Sequence, residues 1–320
     1  MIKKIKVLLL ISGTLLLAQE KVGRIGADFL SVELPPQAAG MGGAYVAAIE
    51  GVESIFWNIS GIANVKTQGL FAGYIPWFVE SYIPYFGYVR KAAPYGNIGV
   101  FVSGVSSRNF QKATEDEGLM EETFNYNALQ IGVSYARYFT DKFALGVALK
   151  FVSEDLGGIT YTRGAALDAG TIFWTGFRSF RLGMSFVNLG PDLTPSGTYY
   201  QYQTNTDEKY SSYPLPVIFR IGGAMEIIDA KNTKLTLSVE LDHPTDYYES
   251  LRAGLRFFFS PYISLYAGYK YYIGEIDESL APGGFGAGVS IKYNYFGLSY
   301  SFSEMGSLPD VHRFSIFYEL

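Results

Sequence analysis

Strict alternation of apolar and polar residues is the feature that most constrains the fold of this chain. From Phe143 to Phe151 every second residue is large and apolar, and the residues between are small or charged. The same pattern returns at 235–242, 251–257 and 263–271. Because successive side chains of a strand point to opposite faces, these segments are predicted to be strands with one apolar and one small or polar face.

Two all-β architectures, a soluble sandwich and a closed membrane barrel, both produce such alternation. The lengths of the links between the predicted strands distinguish the two architectures. Short links such as 140–141 alternate with long ones at 106–122, 154–163, 190–213 and 304–309. Outer-membrane barrels have short periplasmic turns and longer outer loops. We therefore predict an all-β fold, a closed antiparallel transmembrane β-barrel of about 14 strands.

The composition supports this choice. Only 17% of the residues are charged, against about 25% in ordinary soluble domains, whereas 17% are aromatic. The chain has no cysteine, which excludes disulfides, zinc–thiolate sites and cysteine nucleophiles. Its 25 Lys and Arg against 30 Asp and Glu give a net charge of −5, which disfavours nucleic acid as a partner.

The first residues predict export. Lys3, Lys4 and Lys6 precede an apolar run at 7–17, and Ala18 offers a small residue for cleavage. This is the layout of a signal peptide, and the run is too short to cross a bilayer, which needs about 20 residues. We therefore assign 1–18 as a signal peptide and expect the protein in the outer membrane of a Gram-negative-type bacterium.

Two short motifs follow the signal peptide. The first, at 40–47, is rich in small residues, and the second, at 54–63, combines an aromatic residue with asparagine and glycine. Their candidate functional residues are Gly40, Met41, Gly42, Gly43, Trp57, Asn58 and Gly61. Together the motifs resemble the N-terminal region of the FadL-like superfamily of outer-membrane proteins and, more narrowly, of the PorV/PorQ family.

The resemblance implies that this region folds into the barrel as a plug. We therefore expect an N-terminal plug at 19–65 and a barrel at 66–320. The chain departs from the family at Asn58-Ile59-Ser60-Gly61, where the family has Asn-Pro-Ala-Gly. From the residues alone the segment is predicted to turn, because Gly42 and Gly43 allow close backbone approach, Asn58 can bond its own backbone and Gly61 permits a positive φ.

The sequence offers little for catalysis, and we predict that the protein is not an enzyme. His243 and His312 are its two histidines, each near the outer end of a predicted strand and close to an aspartate. A hydrolase site therefore stays open as an alternative. We predict no cofactor and no metal, although the acidic runs at 115–117 and 121–122 leave a calcium site as a second alternative.

Charged residues fall on the inward face of neighbouring predicted strands. They are Arg220, Arg252, Arg256, Lys270 and Glu240, with Asp242 nearby. Two interpretations are open. They form structural ion pairs against the plug, or they bind the carboxylate of an amphipathic anion whose apolar part contacts aromatic side chains.

The long predicted link at 190–213 is rich in tyrosine, a residue that is enriched at recognition surfaces. Its candidate contact residues are Tyr199, Tyr200, Tyr202, Tyr210 and Tyr213. The alternative is an aromatic belt at the membrane surface that continues into the base of the loop.

Two functional hypotheses follow, both for a protein surrounded by outer-membrane lipid. The PorV/PorQ resemblance implies a component of a type IX-like secretion pathway, which binds secreted proteins or secretion-machinery subunits at the cell surface. The wider superfamily implies the alternative, a passive transporter of hydrophobic or amphipathic small molecules. In the first hypothesis the external loops carry the function, and in the second hypothesis the barrel interior carries it.

Overall fold

The structure is a computed structural model that describes residues 23, 25–49, 51–114, 118–201, 203–274 and 284–320. The predicted signal peptide lies outside the described residues. The strands are β1 (Gln68–Pro76), β2 (Tyr82–Lys91), β3 (Asn97–Thr114), β4 (Gly118–Tyr138), β5 (Phe143–Leu156), β6 (Thr160–Trp174), β7 (Arg181–Leu189), β8 (Thr198–Gln201), β9 (Thr206–Lys209), β10 (Ile218–Ala230), β11 (Thr233–Pro244), β12 (Ser250–Ser260), β13 (Ile263–Tyr272), β14 (Phe285–Tyr293), β15 (Phe296–Met305) and β16 (Leu308–Glu319).

Fourteen of these strands form one closed antiparallel barrel. Each pairs with its neighbour in sequence, except that β7 pairs with β10, and β1 pairs with β16 to close the ring. Strands β8 and β9 form a separate hairpin in the long connection between β7 and β10. The predicted barrel is confirmed, and the sandwich alternative is wrong.

The two faces of the barrel differ as the alternation predicts. On β11, Leu237 and Val239 are 39% and 44% exposed, whereas Thr236 and Ser238, which alternate with them, are at most 1% exposed. The apolar side chains thus point outward. Since lipid offers no hydrogen bonds to the backbone, only a sheet without edges can cross it, and closure meets that need. The protein is an outer-membrane barrel.

Several predicted long links are shorter than expected. Strand β3 continues to Thr114 and β4 begins at Gly118, while 157–159 join β5 to β6 and 306–307 join β15 to β16. Beyond the membrane both faces of a strand meet water, so the apolar alternation stops although the hydrogen bonding continues. The connection between β7 and β10 is long, as predicted, and the connection at 273–284 between β13 and β14 is long as well.

The N-terminal segment, residues 25–66, packs against the inner face of the barrel. It contains one α-helix, α1 (Pro36–Gly40), and 3-10 helices at Asp28–Ser31, Val52–Phe56 and Ile59–Asn64. Every residue from Leu34 to Ile49 is buried. Helix α1 contacts β13 to β16, and the last 3-10 helix contacts β3 to β6. Among the described residues, no helix has the length and apolar character to cross a bilayer.

Candidate functional site in the barrel interior

One side of the interior is lined by buried charged side chains. Nε of Arg220 lies 3.1 Å from Oδ1 of Asp242 and 3.8 Å from Oε1 of Glu240. Arg252 forms an ion pair with the other carboxylate oxygen of Asp242. All four side chains are at most 5% exposed. Charges buried this deeply are tolerated only when they are paired, and the pairs supply that compensation.

Glu33 of the N-terminal segment extends this row of charges. Its Oε1 lies 2.6 Å from Nζ of Lys270 and 3.2 Å from Nη1 of Arg252. Its backbone oxygen accepts a 2.7 Å hydrogen bond from Nε of Arg313. Burial alone would raise the pKa of Glu33, but the three neighbouring cations outweigh it and hold that pKa well below its usual value. The carboxylate therefore stays ionised.

The same wall also holds the backbone of the N-terminal segment. Oε2 of Glu240 accepts hydrogen bonds from the amides of Tyr45 at 2.7 Å and Val46 at 2.6 Å. Nη1 of Arg256 donates to the carbonyl oxygen of Ala48 at 3.1 Å. These bonds satisfy backbone groups that no helix or sheet pairs, and they fix the segment to β11 and β12.

The five predicted interior residues therefore meet on one side of the barrel. The structure brings Arg220, Arg252, Arg256, Lys270 and Glu240 together, and each contacts an opposite charge or the backbone of the N-terminal segment. This arrangement supports the structural interpretation more than a site for a ligand carboxylate.

Trp57 and Asn58 connect the second motif to this wall. The ring of Trp57 lies 4.4 Å from the guanidinium of Arg220 and is 2% exposed. Nδ2 of Asn58 donates to the carbonyl oxygens of Val46 at 2.9 Å and Thr171 at 3.0 Å. Its Oδ1 accepts from the amide of Ser60, so Asn58 caps the last 3-10 helix without the proline of the family motif.

The glycine motif lies where the segment touches the barrel backbone. Gly42 has φ of 62°, and a Cβ there would lie 2.5 Å from the amide nitrogen of Tyr269. Gly43 has φ of 82° and faces the side chain of Arg252. Both positions therefore need glycine, for conformation and for space.

The other motif residues have different roles. Gly40 and Met41 are buried in the same contact with β12 to β14. The expected positive φ at Gly61 is wrong, because this residue lies within a 3-10 helix and is absent from the positive-φ glycines. A Cβ at Gly61 would lie 2.6 Å from Cβ of Ser54, so Gly61 allows close packing of two short helices.

The opposite side of the interior, formed by β1 to β4, is mainly apolar. The ring of Phe56 contacts those of Phe71 and Tyr85 at 5.7 Å and that of Phe101 at 5.2 Å between centroids. This edge-to-face packing places an aromatic cluster between the N-terminal segment and the wall. An apolar molecule inside the barrel would meet compatible surface here.

The wall is interrupted next to this cluster. Tyr82 of β2 pairs with Ser106 of β3, and pairing resumes only at Tyr85. Pro84 lies in the unpaired interval and has no amide hydrogen to donate. The proline accounts for the missing hydrogen bond, and the interruption is a two-residue stretch in which β2 and β3 are not paired.

A groove of about 560 Å³ lies at the interruption on the outer surface. Its apolar lining includes Pro84, Val102, Gly104, Leu129 and Phe151. Because Gly104 has no side chain, the groove reaches the strand backbone at the level of the interruption. A molecule in the groove would therefore lie between lipid and the apolar half of the interior.

A cavity of about 220 Å³, here called the outer cavity, lies between the N-terminal segment and β13 to β16. The aromatic and sulfur-containing residues of its lining are Trp77, Tyr272, Phe285 and Met305, and its charged residues are Asp28, Glu33, Lys270, Glu304 and Arg313. It thus combines an apolar surface with the ion pairs around Glu33.

The alternatives for catalysis and metal binding gain no support. Nδ1 of His243 lies 2.8 Å from Oε1 of Glu249, and Nδ1 of His312 lies 2.9 Å from the hydroxyl of Tyr300. The acidic run at 115–117 lies outside the described residues. Within the described part of the chain, no group of three or more metal-ligating side chains is arranged to hold an ion.

The predicted contact tyrosines divide into two groups. Tyr199 and Tyr200 on β8 are 40% and 49% exposed, and the ring of Tyr199 packs on that of Tyr210. Tyr213 instead donates a 2.8 Å hydrogen bond from its hydroxyl to Glu154 on the barrel wall, so it holds the loop in place. Tyr202 lies outside the described residues.

Sequence reasoning missed several charged residues of the interior, among them Lys150, Asp168 and Glu33. Lys150 pairs with Asp168 at 2.8 Å, and both are inward-facing strand residues that the alternation could have revealed. Glu33 lies in a segment without periodicity, so no pattern in the sequence pointed to it.

Of the comparisons with known proteins, the one with solved structures identifies the fold. No family model matches the chain, and no curated protein matches it in sequence. Among solved structures it is similar to a TodX variant described as a monoaromatic hydrocarbon channel (TM-score 0.57, 12% identity), over 90% of this chain and 98% of that one. It is also similar to the CymD monoaromatic hydrocarbon channel (TM-score 0.57, 13% identity), again over 90% and 98%.

A third similar structure is a FadL homologue from Pseudomonas aeruginosa, with a TM-score of 0.58 and 11% identity over 90% of this chain and 99% of that one. At these low identities, the structural similarity shows the fold alone, which is that of the FadL-like barrels. The similar proteins are described as channels or transporters rather than enzymes. None of these similarities singles out the PorV/PorQ family.

Proposed function

We propose that the protein is a passive outer-membrane channel for hydrophobic or amphipathic small molecules. The observation that carries this proposal is the interruption between β2 and β3, which lies between an apolar interior surface and an apolar groove on the outside. The FadL-like architecture supports it. The proposal needs no catalytic group, because movement follows the concentration gradient.

The N-terminal segment has a defined part in this proposal. Its described residues lie between the charged wall and the aromatic cluster, which supports the role of a plug that the sequence predicts for 19–65. A plugged barrel blocks water and hydrophilic solutes. An apolar molecule can instead cross beside the segment along the apolar side, where its transfer from water is favourable.

The test is uptake of a labelled neutral monoaromatic compound by cells that express wild type or Pro84→Ala. Alanine restores an amide donor in the unpaired interval and should close the interruption, so uptake should fall several-fold. Pro309→Ala on β16 is the matched control, because it makes the same change in a strand away from the interruption. Equal uptake by wild type and both variants would refute the proposed route.

The secretion hypothesis from the PorV/PorQ resemblance remains a second proposal, resting on the resemblance alone. Its candidate surface is the β8–β9 hairpin with Tyr199, Tyr200 and Tyr210. Purification in mild detergent with mass spectrometry of co-purifying proteins and lipophilic compounds separates the two functions. Stoichiometric secreted proteins would support secretion, and a bound apolar compound without a protein partner would support the channel.

A further inference from the structure

The outer cavity has aromatic walls, but its cations are already paired. Nζ of Lys270 and Nη1 of Arg252 both approach Oε1 of Glu33, at 2.6 and 3.2 Å. The third cation, Arg313, donates to the backbone oxygen of Glu33 and to the hydroxyl of Ser303 at 2.7 Å each. Each cation near the cavity therefore has a partner within the protein.

The remaining charges of the lining are acidic. Asp28 and Glu304 line the cavity with Glu33, so three carboxyl groups face two cations, Lys270 and Arg313. A carboxylate entering the cavity would have to displace Glu33 from its cations or remain unpaired beside it. Either arrangement is unfavourable, because the ion pairs of Glu33 would be lost or two like charges would lie close together.

The apolar part of the lining suits a small uncharged molecule. Trp77, Tyr272, Phe285 and Met305 surround a volume of about 220 Å³. A protein cavity of about 150 Å³ with an apolar lining can hold benzene. The outer cavity is thus large enough for one substituted aromatic ring.

We propose that Glu33 sets the charge selectivity of the outer cavity, which admits neutral apolar molecules about the size of one aromatic ring and excludes carboxylates. This inference rests on the proposed channel function and specifies its substrates. It replaces the expectation that the interior cations bind the carboxylate of an amphipathic anion. Glu33 acts as a specificity-determining residue by neutralising Lys270 and Arg252.

The absence of cysteine in the chain allows a direct test. Met305→Cys places a single thiol in the outer cavity of the full-length barrel in lipid vesicles. Its reaction rates with a neutral and with a sulfonated methanethiosulfonate are then compared. The ratio of the anionic to the neutral rate reports the local charge, because a change in thiol reactivity affects both reagents alike.

Adding Glu33→Gln should raise this ratio at least about fivefold, because Lys270 and Arg252 lose their shared carboxylate. Adding Lys270→Gln instead should lower the ratio, because the negative charge of Glu33 is then compensated by fewer cations. The matched control is Asp229→Asn, which removes one exposed acid from the end of β10, at the other end of the barrel. The control should leave the ratio unchanged.

An unchanged ratio in both Glu33→Gln and Lys270→Gln would overturn the inference. If Glu33→Gln fails to form a folded barrel, the sign of the change in Lys270→Gln decides alone. The assay measures charge at the cavity and not transport. Failure of the channel proposal would therefore appear in the uptake assay, separately from failure of this inference.

Discussion

Single residues on the charged wall hold the N-terminal segment inside the barrel. Glu240 is the clearest case, because one of its carboxylate oxygens accepts two consecutive backbone amides while the other faces Arg220. A carboxylate in this position combines charge compensation with backbone pairing. Removing it would leave the buried amide of Val46 without an acceptor and the amide of Tyr45 with only the carbonyl oxygen of Gly43, at 2.9 Å.

Glu240→Ala should therefore destabilise the barrel strongly. Hydrogen bonds to a charged group contribute about 1.5–3 kcal/mol each, so we expect a loss of at least about 3 kcal/mol in the free energy of unfolding. Urea unfolding in detergent micelles measures it. Glu121→Ala, which removes an exposed glutamate of β4, should change stability by less than about 0.5 kcal/mol. Similar losses in the two variants would contradict the role of Glu240.

Burial of Glu53 makes the stability of the folded protein depend on pH. The pKa of Glu53 is raised from 4.5 to about 7, because the effect of burial is larger than the opposite effect of its hydrogen bonds with Gln37 and Ser315. The folded state thus holds this proton more tightly than the unfolded state. Its contribution to stability is complete below about pH 4.5 and is lost as the pH rises through about 7.

Glu53→Gln should remove this dependence, because the amide stays neutral. Compared with wild type, the variant should gain stability as the pH rises from 4.5 to above 7, by up to about 3 kcal/mol. Unfolding midpoints at pH 4.5, 6, 7.5 and 9 measure the effect. A stability difference that does not change with pH would show that folding leaves the pKa of Glu53 unchanged.

On the charged wall, the direction of a side chain was predictable only where the sequence is periodic. The inward position of Arg220, Arg252 and Lys270 followed from alternation along their strands. Their partner Glu33 did not, because the N-terminal segment has no repeat that relates sequence position to direction. Which carboxylate pairs with which cation depends on three-dimensional packing across more than 200 residues of sequence.

At the scale of elements, the contact between the glycine motif and β12 to β14 fixes where the N-terminal segment lies. The sequence predicted close backbone approach at Gly42 and Gly43, and the structure shows the surface that they approach. The strand ends were harder to predict. Strands β3 and β4 continue beyond the apolar band, where pairs such as Lys112 and Glu122 replace hydrophobic alternation.

Gly42→Ala tests this contact. The substitution adds a Cβ against the backbone of β13, at a position that has a positive φ. Gly158→Ala is the matched control, because Gly158 has φ of 73° and nothing within 4 Å of the added Cβ. Both variants should lose about 1 kcal/mol from backbone strain, but only Gly42→Ala should also expose the N-terminal segment to protease. Equal protease resistance would contradict the contact.

At the scale of the whole molecule, closure of the sheet and filling of its interior determine what can cross. Alternation and composition were enough to predict the barrel and its outward apolar face, because both follow from the requirement to pair every backbone group in lipid. The interruption at Pro84 was not predicted. It depends on the register between β2 and β3, which local sequence does not determine.

The central claim is that the barrel conducts apolar molecules and excludes hydrophilic ones. The most direct measurement compares the entry of a neutral monoaromatic compound and of a disaccharide into cells with and without the protein. We predict that the protein accelerates entry of the aromatic compound several-fold and leaves disaccharide entry unchanged. Faster entry of the disaccharide, or no effect on the aromatic compound, would contradict the account.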